Sequence, residues 1–482
     1  MVAADGDETR GVSRIAVIGV GEPSFRPAHR HMGPGLRTGH FATALVRAGH
    51  EVLTVAVGTD ERAGPRVGSV AIEGSVAQTV DASERDFGGS ALAAIVGDFA
   101  PDALVGVTAM GASLASRLEP DVPLWADVFG DLMAEAQAKA LVHASDSSLV
   151  HFWSLLQPVL DRADRFSAVS RAQADALIGQ LGLAGRLGAA NAGEHLVSVI
   201  PCAAEYSDDR DADDRDICAD VPNEAFVVLW TGSFNTWCDV DTLARGLDAA
   251  MARDGSIYFA CSGGPVPGHD EATWRAFVRH VRATEHAARY RLLGWVEPAT
   301  LEAWYRRADV GIVVERDLYE RRFGSENRVV QWMARGLPCL TTARSELGRC
   351  LVARELAFGC RPGDPTSLAE ALVALAVDGS RAHLVGRSAR AFCEENLGYT
   401  QTAAPLLEWC ASPVHARDFG VERPLTVGLL SEPAAAVHLL EAYLANLHVG
   451  QVAFRSARWL GRRLARGWRA RRLQHAANRR DG

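Results

Sequence analysis

Of the 50 basic residues in this 482-residue chain, one is a lysine, Lys139, and all the others are arginines. That excludes a P-loop, whose glycine-rich turn needs a lysine. Schiff-base chemistry would rest on Lys139 alone, in a stretch that reads as helix. Any phosphate clamp must use arginine or backbone N–H groups. Long apolar runs are also missing. The most hydrophobic stretch, 91–110, is broken by Asp98, Pro101 and Asp102, so no membrane-spanning helix is expected. The opening MVAADGDETRGVSR is too acidic for a secretory signal. The nine cysteines are odd in number and contain no CxxC pair, which argues against a disulfide framework or a zinc ribbon. Reduced thiols in a cytoplasmic protein are the expectation. No Asp-x-Asp stands at a strand end, since Asp239-Val240-Asp241 reads as a helix start, so no metal site is expected. Gly19 and Gly21 lack the third glycine of a dinucleotide fingerprint, which disfavours a nicotinamide-dependent oxidoreductase.

The charge present is uneven. Residues 411–482 carry a net +7, which leaves −16 on the rest of the chain. A body this acidic is not expected to bind nucleic acid, where phosphate contact dominates affinity. The basic segment 452–473 has eight arginines and no acid, with Ala453, Ala457, Leu460, Leu464 and Trp468 along one stripe. It reads as an amphipathic helix suited to an anionic membrane surface or to another protein, which would make the protein peripheral on the inner membrane face.

Short apolar runs alternate with helical patterns along most of the chain, the signal for βαβ units and parallel sheets. Strands are expected at 14–20, 51–57, 102–108, 122–126, 166–169 and 196–200, with a glycine-rich loop after the first reaching about Gly39. A second series begins at Glu224, with strands at 226–231, 257–261, 290–294, 310–314, 338–341 and 356–360. Between the series, 207–220 carries seven aspartates without calcium-loop spacing and reads as a solvated linker. The expected organisation is an α/β unit over 1–206, a linker over 207–224, a second α/β unit over 225–410 and a helical, Arg-rich tail over 411–482. Two such halves form a cleft, and ligands bind at the carboxyl ends of the strands.

Several ordered blocks narrow the function. The second half opens with Gly232-Ser233, continues with Gly294-Trp295-Val296 and Ala308-Asp309-Val310, and ends with Met333-Ala334-Arg335-Gly336-Leu337-Pro338. These resemble the nucleotide-sugar glycosyltransferases of the GT-B fold, particularly the large, mostly retaining family with a Glu-x7-Glu motif. The blocks Arg47–Val52, Ser167–Ser170 and Ser198–Pro201 fit that family's N-terminal domain less tightly. The resemblance implies two Rossmann-like domains facing a central cleft, plus the C-terminal helical tail. It implies transfer of a sugar from a nucleotide-diphosphate donor, with retention, to an acceptor the sequence does not identify. No cofactor beyond the donor is implied. The chain departs from the motif: Glu320 matches the first acid, but Gln331 stands at the second, after ten intervening residues. That departure motivates a second reading, a silent scaffold or activator of a partner enzyme.

Candidate site residues follow. Arg328, near a helix start at a strand's carboxyl edge, can bind phosphate oxygens bidentately. Gln331, one turn on, can hydrogen-bond ribose hydroxyls. Gly35, Gly232, Ser233, Gly324 and Ser325 offer backbone N–H groups or close approach for the donor. Glu320 and Glu315 are alternatives for the sugar hydroxyls. Asp127, after a short strand, is expected to point toward the cleft as base, acceptor-orienting group or charge stabiliser, or to cap a helix. Asp131 is equally open, and His143 and His151 read as packing residues.

Overall fold

The computed structural model describes residues 11–28, 30–58, 64–205, 217–218, 220–266 and 269–421. The basic segment 452–473, its membrane contact and most of the acidic linker lie outside them. Two sheets carry the fold. The first holds β1 (Arg14–Val20), β2 (Glu51–Gly58), β3 (Arg66–Ile72), β4 (Ser75–Ser83), β5 (Ala103–Gly106), β6 (Leu124–Asp127), β7 (Arg165–Ala168) and β8 (Val197–Val199). Their order is β3-β4-β2-β1-β5-β6-β7-β8, parallel except for β3 against β4. The second holds β9 (Phe226–Thr231), β10 (Ile257–Ser262), β11 (Tyr290–Gly294), β12 (Val310–Val313), β13 (Cys339–Thr341) and β14 (Phe358–Gly359). It is wholly parallel in the order β11-β10-β9-β12-β13-β14. Parallel strands need helical crossovers on both faces, so their residues are mostly apolar and buried: all six of β9 are buried.

The β3–β4 hairpin was not expected from the sequence. Its two-residue turn, Glu73-Gly74, has positive φ at both positions (54° and 80°), the twist that suits a tight hairpin. The expected glycine-rich loop is also shorter than supposed. A helix begins at Gly33 and runs to Arg47, with Pro34 in its first turn. Its glycines serve packing: a Cβ on Gly35 would fall on the Glu22 carbonyl, and one on Gly39 on Ser24.

Both faces of each sheet are covered by apolar clusters. The chain does not stay with the second sheet to Cys410. Leu397 still packs there, but Tyr399, Leu406, Leu407 and Trp409 join Ile15, Phe41 and Trp125 against the first. The body containing both sheets ends at Phe419. Among the described residues no helix is long and apolar enough to cross a membrane. None of the nine cysteines is in a disulfide.

Candidate functional site

The carboxyl ends of β9, β10 and β11 form a floor of bare backbone. Gly232 has φ +87°, Gly263 φ +124° and Gly294 φ +68°. The Gly232 N–H donates to the Ser262 carbonyl at 2.8 Å, and the Gly263 N–H to that of Gly294 at 2.7 Å. A Cβ on Gly263 would strike the Gly232 carbonyl, so this layer tolerates no side chain there.

Arg328 rises beside this floor from the first turn of the helix Asn327–Ala334. Its guanidinium lies 4.4 Å over the Trp230 ring, and Nη2 donates to the Ser233 carbonyl at 2.9 Å. Nη1 is buried with no partner. A buried guanidinium N–H without an acceptor is costly, and it marks a place built for one. Asn327, next in line, has its Nδ2 within 3.3 Å of where a Cβ on Gly33 would stand. The first turns of helices Gly33–Arg47 and Asn327–Ala334 therefore approach each other, and both offer unpaired N–H groups. Gln331 lies one turn beyond Arg328 and is partly exposed. The structure thus brings Gly232, Ser233, Arg328 and Gln331 together. Gly35 stands in the opposing helix's first turn, packed on Glu22.

Glu315 and Glu320 prove not to be alternatives. They grip one arginine. Arg321, which sequence reasoning passed over, donates to both Glu320 oxygens through Nε and Nη2 and to Glu315 Oε1 at 2.8 Å. Its guanidinium also stacks 4.7 Å over Trp237. All three side chains are buried. Glu320 therefore presents no free carboxylate oxygen to a sugar. Burial raises its pKa, against the pull of Arg321. Gly324 caps the short helix Tyr319–Phe323, and Ser325 lies beside Cys202 of the first half.

A third buried acid, Glu326, also escaped the sequence reading. Its Oε2 accepts from the Ser345 hydroxyl at 2.7 Å. Burial, and then the neighbouring Glu315, push its carboxyl up to about 8. Glu326 Oε1 and Glu315 Oε2 are both buried without a partner, and one proton shared between them satisfies both. A carboxyl whose folded pKa is raised stabilises the fold most below its unfolded value, and that stability is lost as pH climbs through the folded value. The wild-type melting temperature should accordingly fall between about pH 5 and about pH 9. Glu326→Gln, whose amide replaces the shared proton, should flatten that fall and melt higher at the alkaline end. Parallel curves for the two proteins would contradict the shared proton.

Comparison with known proteins settles the family. The model described as "Glycosyl transferase 4-like domain" matches residues 32–187, and "Glycosyl transferases group 1" matches 225–378, together well over half the chain. The chain belongs to the GT-B glycosyltransferases. Sucrose-phosphate synthase from Thermosynechococcus elongatus superposes with a TM-score of 0.62 at 18% identity, over 82% of this chain and 98% of that one. Anabaena HepE, in complex with UDP and glucose, gives 0.57 at 15%, over 83% and 100%. An α,α-trehalose-phosphate synthase (UDP-forming) from Burkholderia vietnamiensis gives 0.56 at 12%, over 83% and 100%. No curated protein matches by sequence.

In this glycosyltransferase Asp127 does not face the cleft as the sequence suggested. It is fully buried at the end of β6. Oδ1 accepts from Arg37 Nη2 at 2.8 Å and from the Ser167 hydroxyl at 2.7 Å; Oδ2 accepts from Arg37 Nε at 3.1 Å. Arg37 goes on to the carbonyls of Ile200 and Pro201, at 2.8 and 2.7 Å. The pair joins helix Gly33–Arg47 to β6 and to the end of β8. Asp127 Oδ2 also takes the Thr108 N–H at 3.4 Å, where a β-branched residue is held at φ +63°. Neither does Asp127 cap a helix. Asp131 does, accepting from the Ala134 N–H at 2.8 Å, and its second oxygen takes Gln180 at 2.7 Å. His143 and His151 lie on the helices Leu132–His143 and Ser147–Arg162.

The halves of the glycosyltransferase touch through polar groups. The Ser170 hydroxyl donates to the Phe323 carbonyl at 2.7 Å. Glu346 accepts from the Arg171 N–H at 3.0 Å, at the positive end of helix Arg171–Leu183. Lys139 Nζ donates to Nδ1 and the carbonyl of His269, at 3.0 and 3.1 Å. Burial, then Lys139, pull the His269 pKa down to about 4, which keeps its ring neutral and able to accept.

Proposed function

We propose that this glycosyltransferase uses a UDP-sugar and passes the glycosyl group to a hydroxyl of its acceptor with retention. The observation that carries the reading is Arg328: a half-buried guanidinium with one buried, unpartnered donor, beside a side-chain-free floor and opposite the start of another helix. That combination suits a diphosphate, which needs charge-assisted donors and close backbone approach. The choice of uridine rests on HepE, solved with UDP, and on the UDP-forming trehalose-phosphate synthase.

In this reading the bond from the anomeric carbon to the diphosphate oxygen breaks, and the acceptor oxygen bonds to that carbon. Arg328 and the helix N-termini stabilise the negative charge that grows on the leaving diphosphate. Asp127 and Glu320 are both occupied by arginines, so neither is placed to take the acceptor's proton. The departing phosphate oxygen takes it instead. Gln331 serves the ribose, and the Glu315–Arg321–Glu320 cluster shapes the sugar end.

Calorimetric titration with UDP, GDP, dTDP, ADP and NAD, followed by assay of UDP release from UDP-sugars, tests this. Micromolar binding of UDP with turnover is expected. Binding without turnover on any acceptor would favour the scaffold reading, and failure of every nucleoside diphosphate to bind would sink the donor site.

A further inference from the structure

Arg335 occupies the variable position inside Met333-Ala334-Arg335-Gly336, and nothing in the sequence reading gave it a role. In the structure its guanidinium is held from three sides. It forks onto Glu302 of the helix Pro298–Arg307, with Nε at 2.8 Å from Oε2 and 3.1 Å from Oε1 and Nη2 bonded to Oε1. It lies 4.5 Å over the ring of Tyr305 on that same helix. Its Nη1 turns back one helical turn and donates to both the backbone carbonyl and the side-chain Oε1 of Gln331, each at 3.0 Å.

The last contact has a chemical consequence. A guanidinium has donors only, so the atom of Gln331 facing it must be the carbonyl oxygen. The amide cannot turn over without placing its NH₂ against the N–H donors of Arg335 Nη1. Its Nε2 is therefore left on the other side, on a partly exposed side chain one turn from Arg328. A carboxylate at this position would offer acceptors to a ligand; Gln331, fixed in this way, offers donors.

We propose that Arg335 is a positioning residue that locks the Gln331 amide with its N–H groups toward the donor ribose, so that a ribose hydroxyl is recognised as an acceptor. The proposal rests on the nucleotide-sugar reading of the site. Arg335 itself touches no substrate.

The test is calorimetric titration of the full-length protein with UDP and with 2′,3′-dideoxy-UDP. Wild type should prefer UDP. Arg335→Met, which keeps the apolar stem over Tyr305, frees the amide to rotate. It should weaken UDP binding roughly 3- to 10-fold, the worth of one ordinary hydrogen bond, and leave the dideoxy analogue unchanged. The KM for donor should rise and kcat hold. Arg335→Lys, still a donor, should restore most of the preference. In a Gln331→Met background the Arg335→Met change should add nothing. A wild-type ratio of the two affinities in Arg335→Met, or an equal loss for both ligands, would overturn the positioning role while leaving the donor site intact. Failure of wild type to bind UDP would overturn the reading beneath it. Should Arg335→Met not fold, Glu302→Gln, which loosens the fork, should show a smaller change with the same selectivity for UDP.

Discussion

Arg328→Met should lose UDP affinity by roughly 10- to 150-fold, the range for hydrogen bonds to charged groups. The reasoning is local. Methionine keeps an apolar stem over Trp230, so packing survives. What disappears is a positive charge with one N–H already bonded to Ser233 and another buried and waiting. In the free protein that waiting donor is a burden, so the variant should melt no lower than wild type. Loss of binding without loss of stability would separate a ligand-binding arginine from a structural one. Arg328→Lys should recover only part, because an ammonium cannot both hold Ser233 and fork onto two phosphate oxygens. Wild-type UDP affinity in Arg328→Met would remove this residue from the donor site.

The second large effect is expected at Arg37, and on stability. Arg37→Met strands Asp127 as an unpaired carboxylate with no solvent exposure. Breaking a buried pair this way costs about 3–5 kcal/mol. Asp127→Ala strands the guanidinium in turn, although Ile200 and Pro201 still accept from it. The double variant should recover much of the loss, since no lone charge then remains. Melting temperatures of the three variants read this directly. If Asp127→Ala abolished turnover and left the melting temperature alone, Asp127 would be a catalytic group after all.

These two arginines show what the sequence makes legible. Arg328 was visible because its surroundings are local: a basic residue at a helix start, within a run of blocks that recur in order. The pairing of Arg37 with Asp127 spans 90 positions and leaves no periodic trace. The place of Asp127 after a strand fixes where the backbone ends but not what the side chain meets. Glu315 and Glu320 looked interchangeable because spacing says nothing of the arginine between them. The strand pattern fared better, since parallel strands buried on both faces write themselves as apolar runs. The β3–β4 hairpin did not, because β3 is largely exposed and its turn is Glu-Gly rather than the more telling Asn-Gly. Gly35 and Gly39 read as loop residues, although they are helical and small because Glu22 and Ser24 lie against them.

The scarcity of lysine gives the protein a built-in reporter. Lys139 is buried, and its ammonium is clasped by His269 from the opposite half. An amine-selective acylating reagent therefore has a single side chain to find, and reaches it only when the two halves part. The rate of labelling at Lys139, followed by mass spectrometry, measures how often the cleft opens. A bound nucleotide that draws the halves together should slow it. No engineered probe is needed, because the chain has kept arginine almost everywhere a second signal would have arisen.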